Sequence, residues 1–135
     1  MTNPVNDEAL DTIFRAARTH NAWTDRPVSR AMLEAVYDLM RMGPTSANCS
    51  PARLVFLTTK AAKERLRPFL LPGNADKTMA APATVILGHD QKFYEQLPRL
   101  FPHTDARAWF AGNDALANTT AFRNGTLQGA YFIIA

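Results

Sequence analysis

Cysteine is nearly absent from this 135-residue chain. The single Cys49 excludes an internal disulfide and fits a reducing, cytoplasmic compartment. Long hydrophobic runs are missing too. The longest stretch made only of apolar residues and glycine is Gly129 to Ala135, far short of the about 20 residues a membrane helix needs. The N-terminus is polar and acidic up to Glu8, which is no secretory signal. Fifteen Lys and Arg stand against twelve Asp and Glu, a net +3, and they are scattered rather than gathered into a basic stripe. That pattern argues against a nucleic-acid partner and leaves a small anionic ligand as the more natural one. His20, His89 and His103 lack metal-ligand spacing, so no metal site is expected. No Gly-x-Ser-x-Gly elbow surrounds Ser46, which removes the usual setting of a serine nucleophile. Repeats and low-complexity segments are also lacking.

What is present is an apolar content of 47%, enough for one domain that buries roughly two-thirds of its unfolded surface. Asn6 or Asp7 can cap a first helix with Ala9, Leu10, Ile13, Phe14 and Ala17 on one face. Ser29 caps a second, with Met32, Leu33, Val36, Leu39 and Met40 expected to face inward until Gly43-Pro44 ends it. Arg53 to Thr58 reads as a buried strand, and Thr59 starts a short charged helix that Pro68 halts or kinks. Pro72-Gly73-Asn74 reads as a turn before a brief helix through Met79. Ala83 to Gly88 is a second apolar run of the kind buried on both sheet faces. Helical pieces follow at 90–100 and 105–110. A long helix from Asn113 to Ala135 then places Phe122, Thr126, Ala130, Ile133 and Ile134 at helical spacing. Gly125 and Gly129 on that helix either relieve crowding or let two helices meet at a dimer seam. The helix stops on Tyr131-Phe132-Ile133-Ile134-Ala135 with no capping residue, so the chain reads as breaking off inside a helix.

The segment Gly43-Pro44-Thr45-Ser46-Ala47-Asn48-Cys49-Ser50-Pro51 carries the most information. A plain connection needs one or two turn formers, and this one has nine residues. Its prolines stiffen both ends, Thr45, Ser46 and Ser50 offer hydroxyls, and Asn48 offers an amide with donors and an acceptor. It suits presentation of fixed hydrogen-bonding groups to something planar and polar. Three further polar clusters flank the apolar elements: Arg18-Thr19-His20-Asn21, Asn74-Ala75-Asp76-Lys77, and Arg123-Asn124. A flavin mononucleotide (FMN) asks for such groups. Its phosphate needs cationic and hydroxyl donors, which Arg18 and Thr19 supply. Its pyrimidine edge needs an amide and a cation, and Asn74 and Lys77 lie three residues apart on one helical face. A cation at that edge favours the reduced ring.

These residues together resemble a family. An Arg-containing polar turn ending in Trp23, then Pro44 to Pro51 before a strand, then Asn74 and Lys77 before a second strand, is similar to the nitroreductase family of FMN-dependent oxidoreductases. Gly43 to Arg53, Arg65-Leu66-Arg67-Pro68, Phe93 to Pro98 and Thr120 to Asn124 closely resemble the malonic semialdehyde reductase subgroup. The resemblance runs from about Asp11 to near the end of the chain.

The resemblance implies an α+β fold, a three-layer α-β-α sandwich incomplete at its C-terminus, with residues 1–135 as the N-terminal two-thirds of one domain. It implies Arg18 and Thr19 on the FMN phosphate, and Asn21 near the N1-O2 edge, where many members carry Lys or Arg. Pro44, Thr45, Ser46 and Asn48 would lie in the loop that meets a flavin held mainly by the other subunit of a swapped homodimer. Asn74 and Lys77 would sit on the pyrimidine ring. No protein side chain is expected to act as a catalytic group: NADH or NADPH gives a hydride to the flavin, which passes it to a small-molecule substrate. The subgroup suggests 3-oxopropanoate, reduced to 3-hydroxypropanoate, with Arg53 or Arg107 as candidates for its carboxylate. The alternatives are a nitroaromatic, quinone or enone reductase, or a flavin-binding or interaction module without turnover.

Overall fold

Local capping starts most of the helices. The Asn6 side chain accepts from the Ala9 amide at 2.9 Å and opens a single turn, α1 (Asp7–Leu10), in the computed structural model, which describes residues 3–135. The chain widens at once into a π-helical turn over Asp11–Arg15, where Arg15 pairs with Asp7 and Asp11 at 2.7 Å each. The apolar face expected here is half open: Leu10 and Ile13 are partly covered, whereas Phe14 and Ala17 are exposed.

Ser29 caps α2 (Arg30–Met40) by accepting from the Met32 amide at 3.1 Å. Leu33, Val36 and Met40 point inward at helical spacing, while Met32 and Leu39 face outward, which corrects the wider stripe expected from sequence. Thr59 caps α3 (Lys60–Leu66), and the helix tightens into a 3-10 turn over Arg67–Phe69 at Pro68. The expected turn at Pro72-Gly73-Asn74 is instead the first turn of α4 (Pro72–Ala80). Proline is tolerated there because the first amides of a helix have no internal partner. A 3-10 turn at Phe93–Gln96 leads into α5 (Leu97–Leu100), and another spans Ala106–Trp109. Asn113 accepts from the Leu116 amide at 3.1 Å and begins α6 (Asp114–Ile134).

The strands β1 (Ala52–Leu57) and β2 (Thr84–His89) pair antiparallel, from Ala52 opposite His89 to Leu57 opposite Thr84. Side chains alternate across a strand, so one face carries Leu54, Phe56, Val85, Leu87 and His89. That face meets α6: Gly125 lies against His89, Gly129 against Leu87, and the Phe56 and Phe132 rings are 6.1 Å apart. The two glycines therefore relieve crowding within the chain. On the other face Val55 is 54% and Ile86 41% exposed, so the strands are not buried on both sides as expected. The reason is the small sheet, which among the described residues has two strands and helix cover on one face.

The core joins Cys49, Phe93, Leu97, Ala106 and Phe110 to Ala117 and Ala121 in the first half of α6, with the Phe93 and Phe110 rings edge to face at 5.0 Å. The buried side of α6 is Ala117, Ala121, Asn124, Gly125, Gln128 and Gly129. The stripe of Phe122, Thr126, Ala130, Ile133 and Ile134 does exist, but it faces outward. Small residues let the helix approach the sheet, so the bulky ones turn away. Helices packed on a small antiparallel sheet make this an α+β fold.

Candidate functional site

The loop between α2 and β1 is fixed by side chains rather than by regular structure. Two amides on α6 hold it from below. Asn124 accepts from the Ser46 amide at 2.9 Å, and Gln128, 2% exposed, accepts from the Ala52 amide at 2.8 Å. Within the loop the Thr45 hydroxyl accepts from the Ser50 amide at 3.2 Å, and the Asn48 amide donates to the Leu100 carbonyl at 3.1 Å. Ala47, Asn48 and Ser50 adopt left-handed backbone (φ 48, 52 and 38°), which costs energy for residues with a Cβ and persists only where the surroundings impose it. Cys49 is buried in the core, and burial pushes its thiol pKa up, opposed by a weaker hydrogen bond to Thr45. It is a packing residue, not a reactive thiol.

On another part of the surface, residues 19–23 dock against α4. The Trp23 indole donates to the Lys77 carbonyl at 2.8 Å, and the Lys77 ammonium donates to the Asn21 side-chain oxygen at 3.2 Å. Thr19, His20, Trp23, Lys77, Thr78 and Thr84 line an open cavity of about 270 Å³. Among the described residues no carboxylate lines it. The Arg18 guanidinium folds back onto the carbonyls of Arg15 (2.9 Å) and Ala17 (2.6 Å). Asn74 is exposed on α4, one turn before Lys77, and does not line the cavity. The buried Lys63 ammonium donates to the carbonyls of Met79 and Ala81, both at 2.6 Å, and fixes the C-terminal end of α4.

A larger cleft of about 800 Å³ opens along β1 between the end of α2, the loop and α5. Pro44 and Asn48 border it, with Arg41, Arg53 and Arg99 around it. Arg53 binds Asp90 at 2.7 Å. Arg107 does not border this cleft. It grips Glu95 through two hydrogen bonds of 2.8 and 2.9 Å, which engages the guanidinium that the sequence offers for a substrate carboxylate.

The site residues read from sequence thus fall into two groups. Thr19, Asn21 and Lys77 come together at the smaller cavity, with Arg18 adjacent in sequence, and Pro44 and Asn48 border the larger cleft. Thr45 and Ser46 stand in the loop beside that cleft, with their hydroxyl and amide engaged in holding its shape. Gln128, Lys63 and Tyr131 escape a reading by motif. The signal for Gln128 was available: it lies four residues after Asn124, each followed directly by glycine, a pattern that puts two amides on the crowded side of a helix.

Comparison with known proteins follows from this geometry. A family model described as "Nitroreductase family" matches residues 1–135. A protein of Burkholderia lata is 63% identical over 131 residues, covering 97% of this chain and 67% of that protein. One from Cupriavidus pinatubonensis is 60% identical over 132 residues, covering 96% and 67%. Both carry the name "putative NADH dehydrogenase/NAD(P)H nitroreductase". Among solved structures, a nitroreductase-named protein of Exiguobacterium sibiricum in complex with FMN superposes with a TM-score of 0.81 at 17% identity, over 99% of this chain and 71% of that one. The enone reductase CLA-ER, from a gut-bacterial fatty acid saturation metabolism, gives a TM-score of 0.81 at 13% identity, over 97% and 71%. At those identities the two structures speak to the fold.

Proposed function

The chain belongs to the nitroreductase family, and on that premise we propose that it works as an FMN-dependent NAD(P)H oxidoreductase. The observation that carries this reading is the environment of Lys77. Its ammonium is met by a neutral amide, Asn21, in a cavity shared with Thr19 and His20 and lined by no carboxylate. A cation left unneutralised in this way fits an electron-rich heterocycle. Among the described residues Arg18 is tethered only to two backbone carbonyls, so no ion pair there has to break before it meets a phosphate. Thr19 adds a hydroxyl beside it, and Asn74 an exposed amide on the same helix as Lys77. When bound, FMN supplies the acceptance and donation of hydride. The chain's own residues bind, orient and bias the charge of the ring.

Pro44 and Asn48 border a different cleft, with Thr45 and Ser46 in the loop beside it, so in this reading the loop approaches the flavin held by a second copy. Support for a homodimer comes from the outward apolar face of α6, where Phe122 is 62% and Ile133 84% exposed. For the substrate, the motifs shared with malonic semialdehyde reductases favour 3-oxopropanoate. The names of the relatives favour a nitroaromatic compound instead, and that of CLA-ER an enone.

Purified protein mixed with FMN and passed through gel filtration tests the reading. Retained yellow colour that bleaches on adding NADH or NADPH, and returns with 3-oxopropanoate or a nitroaromatic acceptor, is the expected result. Colour that is retained but never bleaches leaves a flavin-binding module, and a colourless protein whose melting temperature FMN does not raise removes the proposal.

A further inference from the structure

The cleft along β1 is bordered by Pro44 and Asn48, which the oxidoreductase reading sets against a second copy's flavin, but its arginines have no part in that reading. Arg41, Arg53 and Arg99 border it, and no Asp or Glu among the described residues does. Arg53 is neutralised by Asp90 at 2.7 Å, and Arg41 meets Asp38 only at 3.7 Å. Arg99 makes no ion pair or side-chain hydrogen bond among the described residues. Two of the three guanidinium groups thus have a carboxylate partner, and Arg99 is left to attract an anion. At about 800 Å³ the cleft is also of the size that holds a small organic ligand. Tyr37 and Phe56 give it aromatic walls, and Asn48 and Gln96 give it neutral amides. Its rim is the loop whose three left-handed residues are held in strain by α6, a kind of backbone that gathers at binding sites.

We propose that this cleft is a binding site for a small organic anion, whose carboxylate or phosphate oxygens are gripped by Arg99 and Arg41 while Arg53 stays on Asp90 as part of the wall. Guanidinium suits both oxyanions, because its planar fork donates two parallel hydrogen bonds. As a substrate subsite it rests on the oxidoreductase reading and makes the substrate class carboxylate-bearing. As an anion site it stands on the cleft alone.

Calorimetric titration of the full chain with malonate and, separately, inorganic phosphate at low salt tests the assignment. Saturable malonate binding that Arg99→Gln weakens about tenfold, and that Arg26→Gln outside the cleft leaves alone, is expected. Saturable phosphate binding with the same sensitivity, and none of malonate, keeps the site and makes its ligand phosphate-bearing. Absence of saturable binding to either anion, or binding indifferent to both Arg99→Gln and Arg41→Gln, overturns it. FMN retention is read in the same samples by flavin absorbance. Malonate binding in protein that holds no FMN supports the anion site while removing the oxidoreductase reading. FMN retention without anion binding does the reverse.

Discussion

The indole N–H of Trp23 donates to the main-chain carbonyl of Lys77 at 2.8 Å, although 54 residues separate them. That bond joins the irregular segment after the first helix to α4, and it places Asn21 within reach of the Lys77 ammonium. Trp23→Phe keeps an aromatic ring and removes the donor. A partly exposed neutral hydrogen bond contributes about 1 kcal/mol, so FMN affinity should fall several-fold with little change in melting temperature. Lys77→Ala acts on the same cavity more directly and should weaken FMN retention or lower the flavin potential. Equilibrium dialysis and a dye-equilibration potential measure these, and unchanged values in Lys77→Ala would take Lys77 out of the site.

Gly43 packs flat against the ring of Tyr131, whose hydroxyl donates to the Pro44 carbonyl at 2.9 Å. A methyl group on Gly43 would overlap that ring, so Gly43→Ala should destabilise the chain by about 1–3 kcal/mol through overpacking. Tyr131→Ala empties the space but loses the bond to Pro44. The double variant should therefore be more stable than the two single effects summed. Urea denaturation of the four proteins closes the cycle, and strict additivity would contradict the contact.

Lys63 is 7% exposed, and its ammonium is satisfied by carbonyls rather than by a carboxylate. Lys63→Met keeps the length of the side chain and strands the Met79 and Ala81 oxygens. The expected loss is about 1–3 kcal/mol, with α4 the first region to lose amide protection in hydrogen exchange. Uniform loss of protection across the chain would argue against a local clamp.

Hydrogen bonding from Arg107 holds the Glu95 carboxyl below its ordinary pKa. A carboxylate depressed in the folded state adds stability that is complete above the ordinary carboxylate range and fades as pH falls through the depressed value. Glu95→Gln should flatten the acid side of a plot of melting temperature against pH and leave its neutral and basic sides nearly parallel to the parent. Both groups are solvent-facing, so the effect is small and shrinks further at high salt. An unchanged acid limb would show that the pair contributes nothing.

Much of the fold was legible because its signals are local. Asn6, Ser29, Thr59 and Asn113 each start a helix by accepting from an amide three residues on. The face of α6 that packs is not legible in its sequence, for a physical reason. A periodic row from Phe122 to Ile134 competes with a row of glycine, alanine and two amides, and hydropathy favours the first. Close approach to the sheet decides for the second, and sheet spacing is not written in one helix. The antiparallel pairing of β1 with β2 and the division of the polar clusters between two cavities were illegible too, since both depend on long-range packing. Nor does local pattern join Asn21 to Lys77, 56 residues apart: the sequence pairs Lys77 with Asn74 on its own helix.

The two amides on α6 reach 78 residues back to Ser46 and 76 back to Ala52. During synthesis on the ribosome, the loop has left the exit tunnel long before the segment that shapes it is made. Its left-handed residues then lack the two α6 amides that brace the loop, and contacts closed over so long a span form slowly. A nascent chain stalled before Gln128 therefore carries the full sequence of that loop without one of the two amides that hold it.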